Sequence, residues 1–99
     1  MKWKIVFHAL VLKEDVPRLE SSIWRKILRD IEKKLALDPH AYGEPLRKGL
    51  FGYWKLRVGA FRVVYQVQKE IVTVLIVKIG ARKDSQVYSE MFSRLKKGT

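Results

Sequence analysis

The chain has 99 residues, a length that reads as one domain spanning residues 1–99, and a domain of that size buries only about two-thirds of its unfolded surface. A hydrophobic content of 47% excludes a disordered tail, and the absence of cysteine excludes disulfides, a thiol nucleophile and sulfur-bound zinc together. Twenty-one Lys and Arg against ten Asp and Glu leave a net charge of +11, whose self-repulsion weakens a compact fold and points to a polyanionic partner: nucleic acid first, an anionic membrane surface second, an acidic protein third.

At the N-terminus, Lys2 and Lys4 lead into an apolar stretch that His8 interrupts, and Lys13, Glu14 and Asp15 follow with no small-residue cleavage site. That pattern is not a targeting signal, and no stretch is long enough to span a bilayer. The expectation is a cytoplasmic protein with no membrane partner. Trp3 to Phe7 is a short β-branched and aromatic run and reads as a strand. Ala9 to Glu14 reads as a short helical piece that Pro17 breaks or restarts. From Ser22 the period becomes helical: Trp24, Ile27, Leu28, Ile31 and Leu35 form one stripe, and Arg25, Lys26, Arg29, Lys33 and Lys34 fill the other faces. Ser21 or Ser22 is the expected N-cap, Asp38-Pro39 lies just past the end, and the basic face reads as solvated. Residues 38–52 hold two of the three prolines and three of the six glycines and read as a loop leading into a sheet.

Two strands follow, Tyr53–Val58 and Phe61–Gln68, joined at Gly59-Ala60. Gly at the first central position of a two-residue loop suits a type II′ hairpin, which sets Val58 opposite Phe61, Leu56 opposite Val63 and Arg57 opposite Arg62. Side chains alternate between the faces of a sheet. Trp54, Leu56, Val58, Phe61, Val63 and Tyr65 then share the face that receives the helix, and Lys55, Arg57 and Arg62 share the other. Like charges directly opposite each other on a sheet are destabilising, and no carboxylate on these strands can neutralise the three cations. An external anion would. Ile71 to Ile79 is apolar on both faces, as an interior strand is, and its register is left open. Arg82 and Lys83 come just after that strand ends at Gly80, and Val87, Tyr88, Met91, Phe92 and Leu95 repeat at helical spacing in a last short helix.

The run from Leu46 to Val67, LRxxxxGYxKLRVGxFRVVYxV, followed by a strand and GxRxxxxVY, resembles the RelE group of the RelE/ParE toxin superfamily. The resemblance covers nearly the whole chain and is strongest from Leu46 to Tyr88. It implies an α+β, microbial-RNase-like fold: an antiparallel sheet of about four strands, N-terminal helices on one face and a short C-terminal helix. It also implies a toxin that cleaves messenger RNA in the ribosomal A site, needs no metal or other cofactor, and is neutralised by a small antitoxin encoded beside it. Position by position, it carries catalytic roles on the scissile phosphate and neighbouring base to Lys55, Arg62, Arg82 and Tyr88. Arg47 becomes a backbone contact, with Tyr53, Arg57 and Lys83 as further RNA-binding candidates. Well-known members have a second lysine two residues before the retained one; Tyr53 stands there in this chain. Members of the ParE type share the fold and act on DNA gyrase, which makes gyrase inhibition one alternative. A non-catalytic basic RNA-binding domain is the other.

RNA carries its own nucleophile, the 2′-hydroxyl. A protein need only position it, remove its proton, stabilise the developing phosphorane and protonate the departing 5′-oxygen. The cationic face offers no carboxylate or histidine for this. His8 and His40 lie elsewhere and read as surface or structural residues. Like-charge repulsion lowers the pKa of a lysine in such a cluster, so Lys55 competes with Tyr88 and Tyr53 for the part of general base. Arg62 and Arg82, as guanidinium groups that do not give up their proton, suit phosphate and transition-state charge. Nothing in the sequence spells a metal site or a Gly-rich phosphate loop. An antitoxin covering this face is expected to be acidic, and to be able to displace a last helix held by few apolar anchors.

Overall fold

The computed structural model describes residues 2–46, 52–83 and 93–94. Its strands are β1 (Lys4–Phe7), β2 (Glu44–Pro45), β3 (Tyr53–Val58), β4 (Phe61–Gln68) and β5 (Thr73–Ala81). They form one sheet in the order β1-β5-β4-β3-β2. The α+β class agrees with expectation, but the sheet has five strands rather than about four and is mixed rather than antiparallel. β1 runs parallel to β5, with Ile5 opposite Val74 and Phe7 opposite Ile76. Ile5 and Phe7 pack against the core, so the pairing buries them on the helix side. The chain between them carries the whole helical layer and the other three strands, long enough to permit the parallel direction, which no local pattern encodes.

The β3–β4 hairpin has the expected register, Val58 to Phe61 through Tyr53 to Gln66. Gly59 has φ +59° and Ala60 has no positive φ, which is the type II′ combination. The helical layer starts with a π-helical turn at Val11–Asp15 and a 3₁₀ turn at Val16–Arg18 around Pro17. Helix α1 then runs Ser21–Asp30 and widens into a π-helical stretch at Ile31–Leu35, where Ala36 N–H donates to Ile31 C=O at 3.1 Å. The N-cap is Glu20, in extended backbone, with no side-chain cap bond; the expected serine cap is not used, and Ser21 is the first helical residue. Ile27, Ile31 and Leu35 are fully buried against Leu56, Val58, Val63, Tyr65, Val74, Ile76 and Ile79. Burying a side chain of this size contributes about 1.5–3 kcal/mol, so this stripe is what holds helix to sheet.

The stretch read as a loop from 38 is more ordered than expected. Asp38 accepts N–H bonds from His40 and Ala41 at 3.1 Å each and starts a short helix α2, Pro39–Tyr42. β2 follows at once and pairs with β3, setting Glu44 opposite Lys55 and Pro45 opposite Trp54. Gly43, between them, is required by close approach: the Tyr65 hydroxyl crosses it to donate to Pro39 C=O at 2.7 Å, and a Cβ there would collide with that hydroxyl. Burial and, secondarily, the Asp38 charge push the Tyr65 phenol up, so it remains a donor.

β5 lies between β1 and β4, the interior position its two-faced apolar sequence calls for. Its register against β4 passes from Lys78–Val64 to Ile76–Tyr65, so β5 carries one extra residue, Val77, in a bulge. The expected C-terminal helix lies outside the described residues except for Ser93 and Arg94, which are helical. No helix among the described residues is long and apolar enough to cross a membrane.

Candidate functional site

The sheet face away from α1 receives Lys55 and Arg57 from β3 and Arg62 from β4. Arg57 and Arg62 are directly opposed, and Lys55, opposite Val64, lies diagonal to Arg62. Arg57 is exposed; Lys55 and Arg62 are half-buried. This face also carries a small apolar cluster, in which Leu46, Tyr53 and Leu75 pack around the fully buried Val64 and Val77. The Tyr53 ring therefore shares the cationic face but rests on this cluster. The face is also not free of carboxylate: β2 brings Glu44 opposite Lys55, although no ion pair joins them. The ion pairs of the described carboxylates go to Lys34, Lys78 and Arg94, and none reaches Lys55, Arg57 or Arg82.

Arg82 is brought to the hairpin tip by the end of β5. Its N–H donates to Ala60 C=O at 2.8 Å, and its Nη1 approaches Gly59 C=O at 3.4 Å. Arg62 Nη2 approaches Arg82 C=O at 3.4 Å. Such separations are long for N–H···O bonds, so these carbonyls orient the guanidinium groups only loosely. Gly80 faces Arg62 across the strands and puts no side chain beside it. Ala60, Arg62, Ala81, Arg82 and Lys83 line a depression of about 500 Å³. Two guanidinium groups and an ammonium around one open depression match the charge and hydrogen-bonding pattern of a phosphodiester. Arg47 and Tyr88 lie outside the described residues. His8 is buried, and its Nδ1 accepts the Leu10 N–H at 3.1 Å. The His40 ring stands edge-on to Trp3 and Trp54, with centroids 5.7 and 5.1 Å away.

A second charge cluster was not foreseen. Asp15 is buried and accepts four bonds: from Lys78 Nζ at 3.0 Å, Ile79 N–H at 2.9 Å, and Arg94 Nη1 and Nη2 at 2.8 and 2.6 Å. Arg94 Nη1 also donates to Val77 C=O at 3.0 Å. β1 stops pairing at Ile76, so Asp15 and Arg94 serve the β5 backbone where a neighbouring strand is missing. Burial pushes the Asp15 carboxyl up, but the bonds from Arg94, Ile79 and Lys78 outweigh it and hold it below the usual carboxylate range. The bond to Asp15 raises Arg94 in turn. The sequence signal was Lys78 itself, a lone cation in an interior strand that must find an acid.

The family model described as the ParE toxin of the type II toxin–antitoxin system parDE matches residues 5–86. A RelE-like toxin protein of Escherichia coli is 32% identical over 97% of this chain and 100% of its own length. The chain belongs to the RelE/ParE toxin family. The mRNA interferase toxin RelE of E. coli K12 is 46% identical over a shorter stretch, 41% of this chain and 43% of that protein. Among solved structures, the toxin–antitoxin complex RelBE2 of Mycobacterium tuberculosis aligns with a TM-score of 0.77 at 26% identity, covering 85% of this chain and 95% of the matched one. A double arginine-to-alanine mutant of E. coli RelE, bound to a peptide of the antitoxin RelB, aligns at 0.69 and 32% identity, covering 91% and 94%. For a RelE/ParE toxin these neighbours fix the fold class and the type II toxin–antitoxin context.

Proposed function

We propose that this toxin is an endoribonuclease that cleaves messenger RNA on the ribosome through attack of the 2′-hydroxyl on the scissile phosphate. The observation that carries the reading is the depression at the hairpin tip, where Arg62, Arg82 and Lys83 converge beside Arg57 and Lys55. Arg62 and Arg82 hold the phosphate and stabilise the charge that grows on it in the transition state. Lys55 is one candidate to take the 2′-hydroxyl proton, with Tyr88 and Tyr53 as competitors. Arg57, Lys83 and Arg47 contact the flanking backbone. Weak acid–base equipment makes the toxin slow on free RNA, and the ribosome supplies the geometry that the protein lacks. Similarity to a protein named mRNA interferase supports this reading, as does a net charge suited to ribosomal RNA. A cognate antitoxin with carboxylates in place of the phosphate would cover the same face.

Primer extension on a message translated with and without the toxin tests it. Wild type should leave defined cut ends, and Arg82→Ala and Arg62→Ala should each lower cleavage about 10²–10³-fold, the usual size of one lost transition-state donor. Undiminished cleavage by both variants would sink the assignment. The ParE description of the matching family model favours gyrase inhibition as the second reading. A supercoiling assay in which the toxin blocks gyrase, with no cut message, would replace the first reading by the second.

A further inference from the structure

A second depression, of about 210 Å³, adjoins the phosphate site on the other side of the hairpin tip. It is lined by Ile23, Lys26 and Ile27 of α1 and by Val58, Gly59, Ala60 and Phe61 of the hairpin. The two depressions share Ala60. Arg82 approaches the Gly59 carbonyl from the first. Lys26 reaches the same glycine from the second, its Nζ 3.9 Å from where a Gly59 Cβ would stand. Lys26 is exposed, and no carboxylate among the described residues pairs with it.

The geometry points to a nucleotide subsite here: we propose that the RNA strand continues from the Arg62–Arg82 depression over Ala60, with the next phosphate on Lys26 and its sugar or base against Ile23, Val58 and Phe61. Size supports part of a polymer over a whole small molecule, because drug-sized ligands occupy pockets of about 300–1,000 Å³. Continuity with a phosphate-binding depression, and an ammonium above an apolar floor, favour a nucleotide over an acidic peptide. A sugar and base are apolar on their faces, while their phosphate needs a cation. The subsite rests on the endoribonuclease reading for its substrate but can be tested apart from it.

The test uses ribosomes programmed with a message. Cleavage kinetics come from the native message, and equilibrium binding from one carrying a 2′-O-methyl group at the cut position. Lys26→Ala should weaken binding and raise KM about fivefold, the size of one exposed charge contact, with kcat within about twofold. The slope of log affinity against log salt should become shallower by about 0.7, one single-strand phosphate contact. Lys26→Arg should restore both. Wild-type cleavage with unchanged affinity and salt slope in Lys26→Ala overturns the subsite and leaves the endoribonuclease reading standing. Lys26-dependent binding without cleavage by wild type keeps the subsite and removes that reading. Lys26→Ala weakening only the purified cognate antitoxin makes the depression a protein-docking site and overturns the RNA assignment.

Discussion

Two groups of cations sit at β5, and they are treated in opposite ways. Lys78 and Arg94 are buried at its open edge, and Asp15 receives both while also capping the Ile79 N–H. Arg82 and Lys83, a few residues further on, are exposed beside Arg62 around an open depression. A cation withdrawn from water needs a carboxylate, or it destabilises the fold by several kcal/mol. A cation left in water keeps its hydration until an anion replaces it. The first arrangement spends its charge on the fold. On the proposed function the second keeps the charge of Arg82 and Lys83 available for a ligand, while the same face sets Arg57 and Arg62 opposite each other. The chain thus joins a structural charge cluster and the proposed binding one by a single strand end.

The largest effect should come from breaking the buried cluster. Asp15→Ala leaves Lys78 and Arg94 facing each other away from water and should lower stability by about 3–5 kcal/mol. A domain of this size has only about 5–15 kcal/mol in all, so the variant should be partly unfolded on warming. Urea denaturation measures this. Arg82→Ala, the matched change in the exposed cluster, should change the unfolding free energy by no more than about 0.5 kcal/mol while lowering cleavage by the factor given above. If the two variants lose similar stability, the division between a structural and a binding cluster does not hold.

The contrast also explains what could be read from the sequence. The hairpin was legible because a glycine at the turn and period-two alternation set its register locally, which placed Arg57 opposite Arg62 without any structure. The stripe of α1 was legible for the same reason: its period is local. Pairings that span the chain were not. Asp15 meets Lys78 and Arg94 across 63 and 79 residues, and no spacing rule reaches that far. β2 is two residues long and exists only through its pairing with β3, so Glu44 opposite Lys55 was hidden inside what reads as a loop. Lys26 read as one more solvated charge because its place depends on where α1 crosses the hairpin tip.

A middle-sized effect belongs to pH. The folded-state carboxyl of Asp15 is held below its ordinary value of 3.8. A depressed carboxylate contributes stability that is fully present above the unfolded value and is lost as pH falls through the folded one. Wild type should therefore lose the contribution of this cluster only below about pH 4. Carbon-13 NMR of the Asp15 carboxyl should show it still ionised when ordinary aspartates are half protonated. Titration at or above the ordinary value would mean that desolvation outweighs the two cations and that the cluster is a burden on the fold.

The smallest effect lies in the opposed arginines, and it has the unusual sign. Arg57 is exposed and lies directly opposite Arg62 across the hairpin. Replacing it with threonine, a good strand former, removes a like-charge pair, so Arg57→Thr should stabilise the protein by a few tenths of a kcal/mol. That gain should be largest at low ionic strength and fade near 1 M salt, where the screening length is about 3 Å. The same variant should bind the 2′-O-methyl message more weakly, with a salt slope shallower by about 0.7. Stability and RNA affinity moving in opposite directions is the signature of charge held in reserve for a ligand. If Arg57→Thr leaves stability unchanged at low salt, the two side chains already point apart, and their pairing carries no stored cost. If stability rises but RNA binding is unaffected, the repulsion is real and the anion it awaits is not this one.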